Sequence, residues 1–250
     1  VAHVDDAERA QAYLRLLADD SMPYKEQTER EQYYARMLFF SLWPNGGGFE
    51  SYDDGLAALR NESAARDELT AVIELSFERT RHSARPLVGP LAGMPLRVHA
   101  RYQREEILAG LDYAHLKRVP KSFQAGVVYS EPWRADAFFV TLKKSESDYS
   151  PTTMYRDYAL SPELFHWESQ STTSVASPTG QRYLGHASRG SHVLLFTRQH
   201  RVDDLGTVPY TFLGPAQYVS HTGDRPIAIT WKLSHSMPSD IYLGASVVAN

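Results

Sequence analysis

The first 85 residues place apolar side chains three or four residues apart, the spacing of one face of an α-helix. This pattern predicts four helices: one after Asp5 and Asp6, one over residues 25–43, one from near Tyr52, and one over residues 65–81. The second helix should end at residue 43 because a proline and three glycines follow, and neither residue type extends a helix well. A helical bundle is therefore expected for residues 1–85.

Residues 86–95 contain three prolines and two glycines, which predicts a linker. Beyond the linker the apolar runs become short and rich in Val, Tyr, Phe and Thr, which is typical of β-strands. Strands are predicted over residues 96–99, 126–129, 137–142, 192–198, 210–213, 217–221 and 227–233. A short helix is predicted over residues 104–111, and a hairpin turn over residues 223–226. The fold class is thus α+β: a helical domain (1–85), a linker (86–95) and a β-rich domain (96–250), which we expect to form a small barrel-like antiparallel sheet.

The amino-acid composition of the chain excludes several classes of protein and of site. The chain is 42% hydrophobic and 22% charged, as in ordinary globular proteins, and it contains no long apolar run of the kind that spans a membrane. It has no cysteine, which excludes disulfides, thiol catalysis and thiolate zinc sites. The first residue is valine, so we expect a domain taken from a longer chain.

The net charge of −4 conceals a difference between the two parts. Residues 1–90 carry 10 Lys and Arg against 16 Asp and Glu, whereas residues 91–250 carry the remaining 16 basic and 14 acidic residues. Eight of the ten histidines also lie in the second part. If a polyanion binds to this chain, it is expected to bind the second part.

Residues 141–186 interleave aromatic side chains with cations, amides and hydroxyls. Such a mixture suits a nucleic acid, since bases stack on aromatic faces, amides and imidazoles pair with base edges, and cations meet phosphates. Ser177 is predicted to cap a helix whose amides hold an anion. The predicted nucleic-acid contacts are Lys143, Lys144, Tyr155, Arg156, Tyr158, His166, Trp167, Ser169, Gln170, Ser177, Arg182 and Arg189.

Two other functions fit parts of the sequence. Asp157, Glu168 and Gln170 match a loose pattern that holds a divalent cation in nucleases, although such enzymes usually have Lys in place of Gln170. Alternatively, the acidic helices serve as a protein-interaction module. No phosphate-binding G-x-x-x-x-G-K-[ST] loop and no H-E-x-x-H motif occurs, so we expect no ATPase activity, no resident metal and no cofactor.

Six segments together resemble one protein family; they are LRVHARY (96–102), REEIL (104–108), FFVTLKKS (138–145), YRDYALS (155–161), FHWESQS (165–171) and YTFLG (210–214). The family is a domain of unknown function at the C-terminal end of bacterial superfamily 2 helicases, which often also carry a phospholipase-D-like nuclease domain. The resemblance runs from about residue 5 to residue 235. It brings no catalytic residues, and it implies a cytoplasmic DNA-processing protein in restriction or phage defence.

In that context the helicase and nuclease domains upstream in the parent chain would be the partners, together with DNA, and this domain alone would not be an enzyme. The β-rich half also resembles the reader domains of modification-dependent restriction enzymes, which flip a modified base into a small β-barrel. We therefore expect a domain that recognises modified DNA, whether the modification is on a base or on the backbone.

Overall fold

The computed structural model describes residues 1–119, 126–142, 157–204 and 206–246. The chain divides into two compact units, Val1–Gln124 and Ala125–Asn250. Helices dominate the first unit and a large mixed sheet dominates the second, so the chain is of the mixed α+β class. None of the helices in the described ranges is long and apolar enough to cross a membrane.

The first unit contains all four helices predicted for residues 1–85. Its elements are α1 (Ala7–Leu17), α2 (Glu29–Leu42), α3 (Tyr52–Asn61), α4 (Ser63–Glu78), a two-residue strand β1 (Arg101–Tyr102) and α5 (Arg104–Gly110). Helix α2 begins four residues later than predicted because Thr28 and Glu31 form a capping box at its start. The preceding residues, Tyr24–Glu26, form a single 3-10 turn instead.

The predicted linker lies inside the first unit. Leu87, Leu91 and Met94 are buried, and α5 packs against α2. Residues 96–99 form no named strand; Val98 makes only an isolated antiparallel bridge to Arg85. The division into a 1–85 domain, a linker and a 96–250 domain therefore stays a prediction about which parts fold independently.

A buried ion cluster ties the start of α1 to α5. The side chain of Arg9 is fully buried and forms ion pairs with Asp6 at 3.1 Å, Asp5 at 3.3 Å and Glu106 at 3.3 Å. Tyr13 Oη donates a hydrogen bond to Glu106 at 2.7 Å. Burial alone would raise the pKa of Glu106, but its interaction with His3 and the positive charge of Arg9 outweigh that effect and lower the pKa, so Glu106 is ionised in the folded protein.

The second unit is built on one sheet. Its elements are β2 (Val127–Ser130), β3 (Ala135–Thr141), β4 (Tyr158–Ser161), β5 (Leu164–Glu168), α6 (Pro178–Leu184), β6 (His192–Arg198), β7 (Val202–Asp203), β8 (Gly206–Thr207), β9 (Tyr210–Thr222), β10 (Ala228–Leu233) and α7 (Ser239–Ala245). Strands β4 and β5 were not among the predicted strands. The two strands predicted over 210–221 are one continuous strand, β9, whose pairing shifts register between Phe212 and Gly214 and again between Tyr218 and Ser220.

The main sheet has the order β2-β3-β6-β9-β10-β5-β4. Strands β3 and β6 pair in parallel, while the other neighbours pair antiparallel, so the sheet is mixed and the prediction of an antiparallel sheet is wrong at this pair. The parallel pair arises because β4, β5 and α6 intervene along the chain between β3 and β6. Over the described residues the pairing runs from β2 to β4 without closing, and closure into a barrel stays a prediction.

Strand alternation decides which side chains of β5 enter the core. Phe165 and Trp167 are buried, whereas His166 and Glu168 point to the opposite face. The Trp167 ring stacks on Phe138 of β3 with centroids 4.0 Å apart. Tyr183 of α6 packs edge-on against both rings, so α6 covers this inner face of the sheet.

Candidate nucleic-acid interface

The outward face of β4, β5, β10 and β9 carries a row of polar side chains. Tyr158 lies opposite His166, His166 lies opposite Thr230, and Thr230 lies opposite Ser220. Directly opposite residues on neighbouring strands share a face of the sheet, so these four side chains form one line across it. Tyr158, His166 and Thr230 are half-buried and Ser220 is exposed. Sequence reasoning identified Tyr158 and His166 but missed Thr230 and Ser220.

Tyr158 and His166 form a stacked pair at one end of this row. Their ring centroids lie 4.7 Å apart with an interplanar angle of 29°. Glu168 follows His166 on the same face, with its Oε1 atom 3.9 Å from His166 Nε2. The Asp157 carboxylate accepts a hydrogen bond from the Glu168 backbone N–H at 3.0 Å. The pair thus presents aromatic surface beside a carboxylate and a threonine hydroxyl, which supplies both stacking and hydrogen-bonding capacity.

Two other predicted contacts lie away from this face. Trp167 is 5% exposed and belongs to the core, because alternation turns it inward. Ser169 is fully buried; its hydroxyl accepts a hydrogen bond from Ile227 N–H at 2.9 Å and donates one to the Gln170 carbonyl at 3.2 Å. Both residues have structural roles in this fold, so we leave them out of the candidate interface. Gln170 is half-buried, and its carbonyl accepts a hydrogen bond from Thr173 N–H.

Ser177 caps α6 as predicted, and the cap engages backbone groups near the start of the helix. Its hydroxyl accepts a hydrogen bond from Gly180 N–H at 3.1 Å and donates one to the Ser174 carbonyl at 2.6 Å. The nearby Val175 N–H donates to Asp224 at 2.6 Å. Gly180 is required here because a Cβ at this position would collide with the Ser174 carbonyl oxygen. The Gly180 and Val175 amides thus already have partners inside the protein, and an anion site at the start of α6 stays a prediction.

Arg182 is held by an internal carboxylate. Its Nε and Nη2 atoms donate to the two oxygens of Asp136 at 2.7 and 2.8 Å, and its guanidinium lies over the Tyr129 ring at 4.4 Å. Asp136 is fully buried; burial raises its pKa, and the hydrogen bonds and charge of Arg182 counteract that shift. Removing Arg182 would leave a buried carboxylate unpaired, so its first role is to neutralise Asp136.

Of the remaining predicted contacts, one lies within the described residues and four lie outside them. Arg189 is exposed, in the loop between α6 and β6. Four contacts lie outside the described residues: Lys143, Lys144, Tyr155 and Arg156. The described residues contain no group of three or more His, Asp and Glu side chains placed to hold a metal ion. The Asp157 carboxylate contacts Glu168 through the backbone N–H of that residue, and a cation site formed by Asp157, Glu168 and Gln170 stays a prediction.

His186 joins α6 to the sheet in a manner that depends on its protonation. Its Nε2 atom accepts a hydrogen bond from the Tyr218 backbone N–H at 3.2 Å, and its Nδ1 atom lies 3.3 Å from the Ser191 carbonyl. This arrangement requires a neutral ring that carries its proton on Nδ1. Burial lowers the pKa of His186 below its ordinary value of 6.5, which agrees with that geometry.

We therefore expect the second unit to lose stability as the pH falls below about 6.5, the ordinary pKa of histidine. Because the folded pKa is the lower one, the unfolded chain binds the proton more readily, and the contribution of His186 is complete only above that pH. The measurement is the difference in the free energy of unfolding between wild type and His186→Gln at pH 5.5 and 7.5. The same difference at both pH values would contradict the assignment.

Residues 96–244 match the model of a family described as Domain of unknown function (DUF3427). No curated protein matches the chain. Among solved structures, the 5-hydroxymethylcytosine-specific restriction enzyme AbaSI aligns with 14% identity and a TM-score of 0.35, over 76% of this chain and 56% of that chain. The present chain therefore spans only about half the length of that enzyme. Since the family model covers more than half of the chain, this protein belongs to the DUF3427 family.

Proposed function

We propose that the second unit is a DNA-binding specificity module that recognises modified DNA. The modification is on either a base or the backbone. The observation that supports this best is the stacked Tyr158–His166 pair on the outward face of the sheet, bordered by Thr230 and Glu168. An exposed sheet face with aromatic rings and a few polar groups is a common surface for unpaired or extruded bases.

The chemistry of the pair suits a base taken out of the duplex. A base that continues the stack on Tyr158 or His166 would place its edge near the Thr230 hydroxyl and the Glu168 carboxylate, which accepts hydrogen bonds from an exocyclic amine. Stacking on an aromatic side chain contributes about 1–3 kcal/mol per base, which is similar to the few kcal/mol needed to extrude one. Discrimination would then arise from the fit of the added chemical group.

The proposed context is a bacterial, cytoplasmic restriction or phage-defence protein whose helicase and nuclease domains lie elsewhere in the parent chain. The resemblance of the six sequence segments to helicase-associated domains supports this context. The chain itself has no phosphate-binding loop, so we expect no DNA-stimulated ATP hydrolysis from it. Its role in such a protein would be to select which DNA is attacked.

Tyr158→Leu should weaken binding of the preferred modified duplex by about 5- to 150-fold, the equivalent of losing one stacked base. Binding is measured on matched duplexes that are unmodified, base-modified or phosphorothioated. The control is Tyr158→Phe, which retains the ring and should retain most of the affinity. Equal affinity of the wild-type protein for all three duplexes would contradict recognition of a modification, and equal affinity of Tyr158→Leu and wild type would remove Tyr158 from the site.

A metal-dependent nuclease is the second candidate, because the Asp157 carboxylate lies 3.0 Å from the backbone nitrogen of Glu168, the other predicted acidic ligand. The same duplexes incubated with and without Mg²⁺ distinguish the two functions. Mg²⁺-dependent cleavage that is abolished by Glu168→Gln would establish the nuclease. Binding without cleavage under both conditions supports the specificity module.

A further inference from the structure

Two arginines meet where β3 and β6 begin. Arg134 directly precedes β3, and Arg189 lies in the loop that leads from α6 into β6. The two strands are parallel neighbours, with Ala135 opposite His192, so their first residues are adjacent in space. The His192 backbone N–H donates to the Arg134 carbonyl at 2.8 Å. We call Arg134, Arg189 and His192 the arginine corner; Arg134 was not among the residues predicted from the sequence.

The arginine corner is held in place by hydrogen bonds. Arg134 Nη2 donates to the carbonyl oxygen of Arg189 at 2.6 Å. The Arg189 backbone N–H lies 3.2 Å from both the Gly185 and His186 carbonyls, and the Ser191 N–H donates to the His186 carbonyl at 2.9 Å. The loop is therefore built as successive turns, while both arginine side chains stay exposed. The Arg134 guanidinium, held by the Arg189 carbonyl, therefore loses little conformational entropy when it meets an anion.

The charge balance of the arginine corner is positive. The nearest buried carboxylate, Asp136, is already neutralised by the bidentate bond from Arg182. Glu131 stands in the turn before β3 and is exposed. Burial lowers the pKa of His192, and the positive charge of Arg134 lowers it further.

We infer that the arginine corner is a phosphate-anchoring site that holds the DNA backbone, separate from the Tyr158–His166 pair that reads the base. This inference rests on the proposed function and specifies how the DNA is positioned. The planar guanidinium fork matches the geometry of a phosphodiester, and exposed cations neutralise phosphates regardless of base sequence. Contacts of this type fix the register of DNA on a protein, whereas base contacts supply specificity.

The test compares the wild-type chain with Arg134→Gln, Arg189→Gln and the double variant. The measured quantity is the affinity for DNA at salt concentrations from about 50 to about 200 mM, a range over which counterion release changes affinity strongly. Each single variant should reduce the slope of log K against log[salt] by about 0.9 and weaken all duplexes by the same factor. Discrimination between modified and unmodified DNA should not change. Arg79→Gln, which removes an exposed arginine from the first unit, is the matched control and should leave the slope unchanged.

The outcomes separate this inference from the proposed function. No DNA binding by wild type would overturn the proposed function. Binding by wild type with unaltered affinity and salt slope in the double variant would overturn the arginine corner alone.

A second readout is the pKa of His192, followed by NMR, which should rise when duplex DNA brings negative charge to the corner. An equal rise with inorganic phosphate, together with an unaltered salt slope for DNA in the double variant, would assign the corner to free anions and overturn its role in DNA binding.

Discussion

Arg9→Leu should destabilise the first unit by about 3–5 kcal/mol, the usual cost of leaving buried charges without their partner. Arg9 is fully buried and pairs with Asp6 and Glu106, whose side chains are also fully buried. The variant would leave these carboxylates in a desolvated site with one positive charge removed. Urea unfolding gives the free energy, and hydrogen exchange of amides in α1 and α5 shows that the loss lies in this unit.

Arg66→Leu is the matched control, since Arg66 pairs with Asp19 and Asp67, whose side chains are 82% and 73% exposed. Exposed pairs contribute about 0–1 kcal/mol, so this variant should remain close to wild type. Similar losses for the two variants would show that the buried cluster contributes no more than a surface pair. The double variant Arg9→Leu with Glu106→Leu should be more stable than Arg9→Leu alone, because it also removes one of the buried carboxylates that lost its partner.

Trp167→Ala should destabilise the second unit by about 3–5 kcal/mol, as is typical for truncation of a large aromatic residue in a core. The indole stacks on Phe138 and contacts Tyr183 edge-on, so its removal opens a cavity in the centre of the inner face. Trp167→Phe retains an aromatic ring in the same position and should cost less. Thermal or urea unfolding measures both variants.

DNA binding by these variants separates a core role from a base-stacking role. If Trp167 is core, Trp167→Phe binds DNA with wild-type affinity under conditions where it is folded. If Trp167→Ala instead folds with unchanged stability and loses its affinity for DNA, Trp167 belongs to the DNA-binding surface. Tyr158→Leu is expected to show the reverse behaviour, with little change in stability and a loss of affinity.

His166 and Trp167 are neighbours in β5 but lie on opposite faces of the sheet, and the sequence pattern contains this difference. In Leu164–Glu168 the strongly apolar rings alternate with polar residues, and alternation alone indicates that Trp167 faces the opposite way from His166. The sequence interpretation placed Trp167 and His166 together among the nucleic-acid contacts, and it listed no strand here. The period-two pattern was available, but the strand has only five residues, which is short for a confident assignment by periodicity.

Other features depend on contacts that no local pattern contains. Arg182 and Asp136 are 46 residues apart, and Arg9 and Glu106 are 97 residues apart. From the sequence, Arg182 is an ordinary cation available for phosphate, and Arg134 is one arginine in a turn. The helices of residues 1–85 were predictable because their spacing and caps are local, whereas the partners of buried charges are set by the tertiary fold.

The buried cluster also bears on how this protein should be divided for expression. The family match begins at residue 96, which makes that position an attractive start for a recombinant fragment. Such a fragment would retain Glu106 but lose Arg9, Tyr13 and the α2 surface on which α5 packs. Its α5 would expose apolar surface around an uncompensated carboxylate, a combination that favours aggregation. The start of the family match and the packing of α5 therefore indicate different fragment boundaries, and residues 1–95 belong in any fragment that is meant to keep α5 folded.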